Sequence, residues 1–138
     1  MPKIIATAEA ENSGAHYSTD IKVHQHMLLA DELPDIGGED TGPAPSDYLC
    51  TALATCKVIT VRMYAARKKW KVDLIRVKVD LVKGEEMPSG HNTFLCELAV
   101  TGELDEAQQA RLLEIAKACP VHRLLSKPSD IVTILQTS

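Results

Sequence analysis

The first 29 residues alternate short apolar and polar runs and show no helical period. "KIIATAEA" (3–10) and "HYSTDIKVHQHML" (16–28) carry β-branched residues on either side of the turn sequence "ENSG", which predicts an antiparallel meander. Alternation through "STDIKVHQHM" puts Ile21, Val23, Gln25 and Met27 on one face, with Lys22, His24 and His26 on the other. Residues 30–47, "ADELPDIGGEDTGPAPSD", have no period and are rich in Gly, Pro and acids. They predict a long loop, of a length that proteins usually keep for function.

"SDYLCTALATCKVITVRMYAARKKW" (46–70) then runs without Pro or Gly. Ser46 or Asp47 is placed to cap a helix, and Arg67, Lys68 and Lys69 suit its negative C-terminal end. The run is apolar nearly all round as far as Ala66, which predicts a central buried helix of about 35 Å ending near Lys69.

"DLIRVKVDLVKG" (73–84) alternates Leu74, Arg76, Lys78, Asp80 and Val82 against Ile75, Val77, Val79 and Leu81. With "TFLCELAVTGEL" (93–104) it predicts a two-stranded hairpin that packs one face on the central helix. "DEAQQARLLEIAKAC" (105–119) is amphipathic, with Asp105 near its start and Ala107, Ala110, Leu112 or Leu113, and Ile115 or Ala116 on the apolar side. "PVHRLLS" follows as a short helix capped by Cys119 and opened by Pro120, and "DIVTILQ" (130–136) is predicted as a closing strand. The order βββ-α-ββ-α-α-β lacks βαβ alternation, so the predicted class is α+β, in a single domain over 1–138.

Composition narrows the function. A net charge of −4 and five residues among Trp, Tyr and Phe leave neither a basic footprint nor stacking platforms, so nucleic acid is not an expected partner. No apolar run approaches a membrane span and the N-terminus lacks the layout of a secretory signal, so a cytoplasmic protein without membrane attachment is expected. The four cysteines are too few and too irregular for a disulfide scaffold, and point to redox, catalytic or metal chemistry instead.

Cys119 sits where a helix N-terminus stabilises a thiolate, and His122 and Arg123 one turn on add charge; a depressed pKa is the expectation, beside the alternative of an inert buried cysteine. Cys56 lies mid-helix on the stripe Leu49, Ala52 or Leu53, Cys56, Ile59 or Thr60, Met63, where the dipole offers little, so spacing alone favours a small core residue. Cys50 projects from another side of the helix and Cys96 is predicted as core. A zinc set of Cys119, His122, His24 and His26 is the other use of these atoms, but C-x-x-H and H-x-H are frequent by chance and no metal is expected. No phosphate loop, dinucleotide fingerprint or serine elbow is present.

Together, "GGEDTGPAPSDYLCTALATC", a long helix bearing a cysteine, and "CPVHRLLS" some 60 residues later resemble the OsmC/Ohr family of thiol-dependent peroxide reductases over nearly the whole chain. The likeness is strongest to the YhfA-like branch, through Asp31-Glu32-Leu33-Pro34, Gly37 to Pro45, Cys56, Tyr64 to Lys68, and Cys119 to Arg123. The resemblance implies a long helix wrapped by antiparallel sheet in an intertwined homodimer. It implies Cys56 as peroxidatic nucleophile, Cys119 as resolving thiol, a small hydroperoxide as substrate, an external dithiol as reductant and no cofactor. In the family a glutamate ten residues before the helix cysteine and an N-terminal arginine ready the thiolate. Here position 46 is Ser with Asp47 beside it, and no arginine precedes Arg62. Asp47 is the candidate carboxylate, while Lys22, His24, His26, His122 and Arg123 are candidate cations, and Leu49, Leu53 and Met63 are candidate pocket residues for an alkyl group. The alternative is a non-enzymatic module of the same fold that binds a small apolar ligand or a protein partner.

Overall fold

A computed structural model describes residues 2–14 and 16–136, which form two compact units divided between Leu49 and Cys50. In the first unit, β1 (Glu9–Glu11), β2 (Thr19–Val23) and β3 (His26–Ala30) form an antiparallel meander in the order β1-β2-β3. The Asn12 amide shapes the first connection by donating to the His16 and Ser18 carbonyls while its oxygen accepts from Gly14 N–H. The second connection differs from the expected continuous strand. Val23 pairs with His26, leaving His24 and Gln25 as a two-residue turn, and His24 takes the left-handed φ of 56° that such turns require. His24 and His26 therefore do not project from one strand face, which removes the geometric premise of the paired zinc ligands.

The segment 30–44 is held by one carboxylate. Asp31 is only 2% exposed. Its Oδ1 accepts from Glu32 N–H at 2.7 Å, and its Oδ2 accepts from Thr41 Oγ1 at 2.6 Å, Thr41 N–H at 3.1 Å and Glu39 N–H at 3.3 Å. A buried carboxylate survives only when its lone pairs are filled, and this loop folds back to fill them. Gly38 is required at the fold-back because a Cβ there would overlap the Glu32 carbonyl. The short 3₁₀ turn Pro34–Ile36 completes the loop.

α1 (Pro45–Lys68) begins with Pro at its first position, and Asp47 reaches back to accept from Ala44 N–H at 3.0 Å; the cap thus comes from the third helical residue. Its far end closes with a Schellman arrangement, Lys69 at φ 59° with Trp70 N–H bonded to the Ala65 carbonyl. Trp70 then packs edge-on to Tyr64 with ring centroids 5.6 Å apart.

In the second unit, β4 (Val72–Val82) pairs antiparallel with β5 (Thr93–Gly102), with a bulge between Val72 and Leu74. α2 (Glu106–Lys117) starts from a capping box between Asp105 and Gln108. α3 (Pro120–Leu125) follows with Cys119 as its N-cap. Val61, Ala65, Val72, Ile75, Leu112 and Ala116 make the core, so the predicted packing of the hairpin on the long helix is observed. Leu112, fully buried, contributes about 2 kcal/mol by burial alone.

Three expectations are corrected. α1 buries only the stripe Leu53, Lys57, Val61 and Ala65, while Leu49, Ile59 and Met63 are exposed. By length and mean hydropathy (1.3) α1 does reach the measure of a membrane span, although its buried stripe includes a lysine. Residues 131–136 form no strand despite their strand composition, and Ile131, Val132, Ile134 and Leu135 are all exposed.

The Asp31 cradle sets a pH dependence. Thr41 Oγ1 first, then the backbone donors, lower its pKa from 3.8 to about 2. A depressed carboxylate pKa gives stability that is fully present above the unfolded value and lost as pH falls through the folded one. Urea unfolding between pH 5 and about 2 is therefore expected to show a loss of stability in wild type that is flattened in Asp31→Asn. Equal slopes in both proteins would remove Asp31 from this role.

Candidate thiol site

The second unit brings three of the predicted residues, Cys56, Cys119 and His122, together with one that was not predicted. Cys119 ends the α2–α3 connection and is completely buried. Its Sγ accepts from His122 N–H at 3.3 Å, the N-cap bond expected of a residue before Pro120. Cys56 lies on α1, half-buried, and its thiol is Cys119's neighbour. Both are free thiols.

Lys57, next to Cys56, is only 4% exposed. Its ammonium donates to the Ala116 carbonyl at 2.8 Å and meets His122 Nδ1, also at 2.8 Å. Ala116 is in the last turn of α2, where carbonyls lack helical partners and the dipole is negative, so the site suits a cation. Against an ammonium, which can only donate, Nδ1 is the acceptor and the ring proton of a neutral His122 sits on Nε2.

The electrostatics differ from the expectation for Cys119. Burial pushes its pKa up, above the lowering given by His122 N–H; the Cys56 side chain raises it further, and Lys57 pulls it down. The helix N-terminus therefore does not make Cys119 an acidic thiol, because α3 has only six residues and the sulfur is fully desolvated. His122 is likewise pushed down, first by burial and then by the Lys57 charge, so it is not the cation of the site.

The other predicted residues are distributed over both units. The Arg123 side chain is exposed on α3. Leu53 is buried, whereas Met63 is exposed. Lys22, His24, His26, Asp47 and Leu49 belong to the first unit, where His24, His26, Lys22 and Asp47 are exposed. That unit has its own apolar cleft of about 1040 Å³ lined by Tyr17, Ile21, Val23, Leu28, Ile36 and Tyr48, among others; neither His24, His26 nor Leu49 is part of the lining. Cys96 is exposed on β5 opposite Val79, against its predicted core position. Lys57 was detectable in principle: it is the sole charged residue between Asp47 and Arg62 in an otherwise apolar helical run.

A long helix packed on an antiparallel hairpin, with Cys56 on that helix and Cys119 at the start of a short one, defines an α+β protein with a thiol site. The family model described as "OsmC-like protein" matches residues 37–134, and the chain belongs to that family. Among solved structures it is similar to an OsmC-like protein from Mycoplasma pneumoniae (19% identity, 91% of this chain and 89% of that one, TM-score 0.70). It also resembles the organic hydroperoxide resistance protein OsmC from Legionella pneumophila (16% identity, 91% of each chain, TM-score 0.62). The organic hydroperoxide resistance protein OhrB of Bacillus subtilis matches with 21% identity over 88% of this chain and 90% of that one, at a TM-score of 0.57. These likenesses establish the fold, and no curated protein matches.

The His122 environment gives a direct test. A histidine whose folded pKa is depressed resists protonation in the native state, so its contribution to stability is present above the unfolded value and is lost as pH falls below it. In an NMR titration, the His122 ring is expected to have its midpoint below 6.5 in the folded protein and to return to the ordinary value in urea. A folded midpoint at or above 6.5 would contradict the Lys57 contact.

Proposed function

We propose that the protein is a cytoplasmic two-cysteine redox protein of the oxidative stress response that reduces organic hydroperoxides and works as a homodimer. The observation that carries this reading is the pairing of a partly accessible Cys56 with a fully buried Cys119 whose thiol form is favoured. Family membership and the hydroperoxide resistance proteins among its structural relatives support it.

In the first step the Cys56 thiolate attacks the O–O bond of the hydroperoxide. The alkoxide leaves, takes a proton and becomes an alcohol, and Cys56 becomes a sulfenic acid. The Cys119 sulfur then attacks the Cys56 sulfur, the S–O bond breaks, the sulfenic hydroxyl leaves with the Cys119 proton as water, and a disulfide forms. An external dithiol restores both thiols by exchange and is itself oxidised to a disulfide. A buried, higher-pKa thiol suits the resolving step, because it stays protonated and unreactive until an activated sulfur is beside it. Asp47 is assigned as the carboxylate that readies the thiolate, with His122 as a support on the Cys119 side. Leu49, Leu53 and Met63 would favour an alkyl substrate. A second copy would cover exposed Leu49, Ile59 and Met63 and give the exposed apolar ends, Ile4 and Ile5 with Ile131 to Leu135, a surface to pair with.

The second reading, a non-enzymatic module holding a small apolar ligand, is supported by the apolar cleft of the first unit.

Mixing reduced protein with cumene hydroperoxide separates the two. The redox reading expects rapid loss of two of the four thiols. Cys119→Ser should stop at a sulfenic acid that dimedone traps, Cys56→Ser should keep its thiols, and Cys50→Ala and Cys96→Ala should behave as wild type. Unchanged wild-type thiols would leave the binding module as the function.

A further inference from the structure

We propose that Lys57 is the cation of the thiol site, a buried ammonium that fixes the His122 ring and favours the thiolate forms of Cys56 and Cys119. The proposal rests on the thiol-redox reading and names the group that does the work of the absent N-terminal arginine.

An ammonium taken out of water needs compensation by acceptors or by an opposite charge. Lys57 is 4% exposed and its two acceptors, the Ala116 carbonyl and His122 Nδ1, are both neutral. Among the described residues, none of the ion pairs includes Lys57. The positive charge is therefore hydrogen-bonded but not neutralised. Thiols are among the groups that can become anionic near it: Cys56 is its neighbour on α1, and its charge reaches Cys119 at the start of α3 and Cys96 on β5. Cys50, seven residues earlier, lies on the same side of α1. His122 from α3 also faces it, and burial together with Lys57 keeps that ring neutral. A thiolate here gains a counter-charge without displacing any existing carboxylate partner.

The same ammonium also has a positioning role. His122 is tied to Lys57 by its ring and to Cys119 Sγ by its backbone N–H at 3.3 Å, so the Lys57 contact orients the turn that presents the resolving sulfur. Other cations are committed or remote from this role. Arg62, the first arginine of the chain, spends its guanidinium on the Val72 and Asp73 carbonyls at 2.6 and 3.1 Å, and Arg123 is exposed.

The test is the pH profile of alkylation by iodoacetamide, read cysteine by cysteine by mass spectrometry, in wild type, Lys57→Met and Lys57→Arg. Lys57→Met is expected to move the Cys56 alkylation profile to higher pH and to slow its alkylation at pH 7 about tenfold, as for a thiolate that loses its counter-charge. Lys57→Arg should restore most of the rate, and His122 should titrate higher in Lys57→Met. An unmoved Cys56 profile in a folded Lys57→Met protein overturns the proposal. If Lys57→Met does not fold, wild type alone suffices: anionic iodoacetate should react with Cys56 faster, relative to neutral iodoacetamide, than it does with N-acetylcysteine, and an equal or smaller ratio overturns it. Adding cumene hydroperoxide separates the two readings. Intact wild-type thiols with a displaced alkylation profile remove the peroxidase and keep Lys57's role, whereas rapid wild-type oxidation with an unmoved profile removes Lys57 alone.

Discussion

The contact on which the thiol site depends is the Lys57 ammonium held between the Ala116 carbonyl and His122 Nδ1. It ties together the middle of α1, the end of α2 and the first turn of α3, three elements that the chain delivers 59 and 65 residues apart. A charge this deeply buried is tolerated only where strong hydrogen bonds replace its water, and losing either acceptor would leave it exposed to the full desolvation cost. The geometry of α3 therefore follows from Lys57 as much as from Pro120. With α3 in place, His122 N–H reaches Cys119 Sγ and the two thiols become neighbours.

Burial and charge then divide labour between the thiols. Cys119 has the helix-start position that ordinarily acidifies a cysteine, yet desolvation outweighs the single backbone donor and its pKa rises. Cys56 lies away from any helix end but keeps solvent contact and the lysine beside it. A ranking by helix position alone misses this difference in solvation.

Much of the fold was legible because its signals are local. The alternation of Ile75, Val77 and Val79, the Asp105 cap and the Cys119-Pro120 start each report a backbone state within a few residues. The turn at His24 was hidden because no Gly or Asn marks it, and a histidine takes the left-handed conformation instead. "DIVTILQ" has the composition of a strand, but strand formation needs a pairing partner, and residues 131–136 make no strand pairing. Of the site, the two cysteines could be found by pattern. Lys57 could not be assigned, since its partners come from α2 and α3 and only the packed structure brings them together. Asp31 was likewise visible as one acid among several in a loop, while its four donors are a tertiary fact.

The central claim is that Cys56 and Cys119 form one redox couple. Peptide mapping of protein oxidised by one equivalent of an organic hydroperoxide, digested without reduction, tests it most directly. The account predicts a single new cross-link joining the Cys56 peptide to the Cys119 peptide, with loss of two hydrogens. Recovery of both peptides uncoupled, or a cross-link through Cys50 or Cys96 instead, would contradict it.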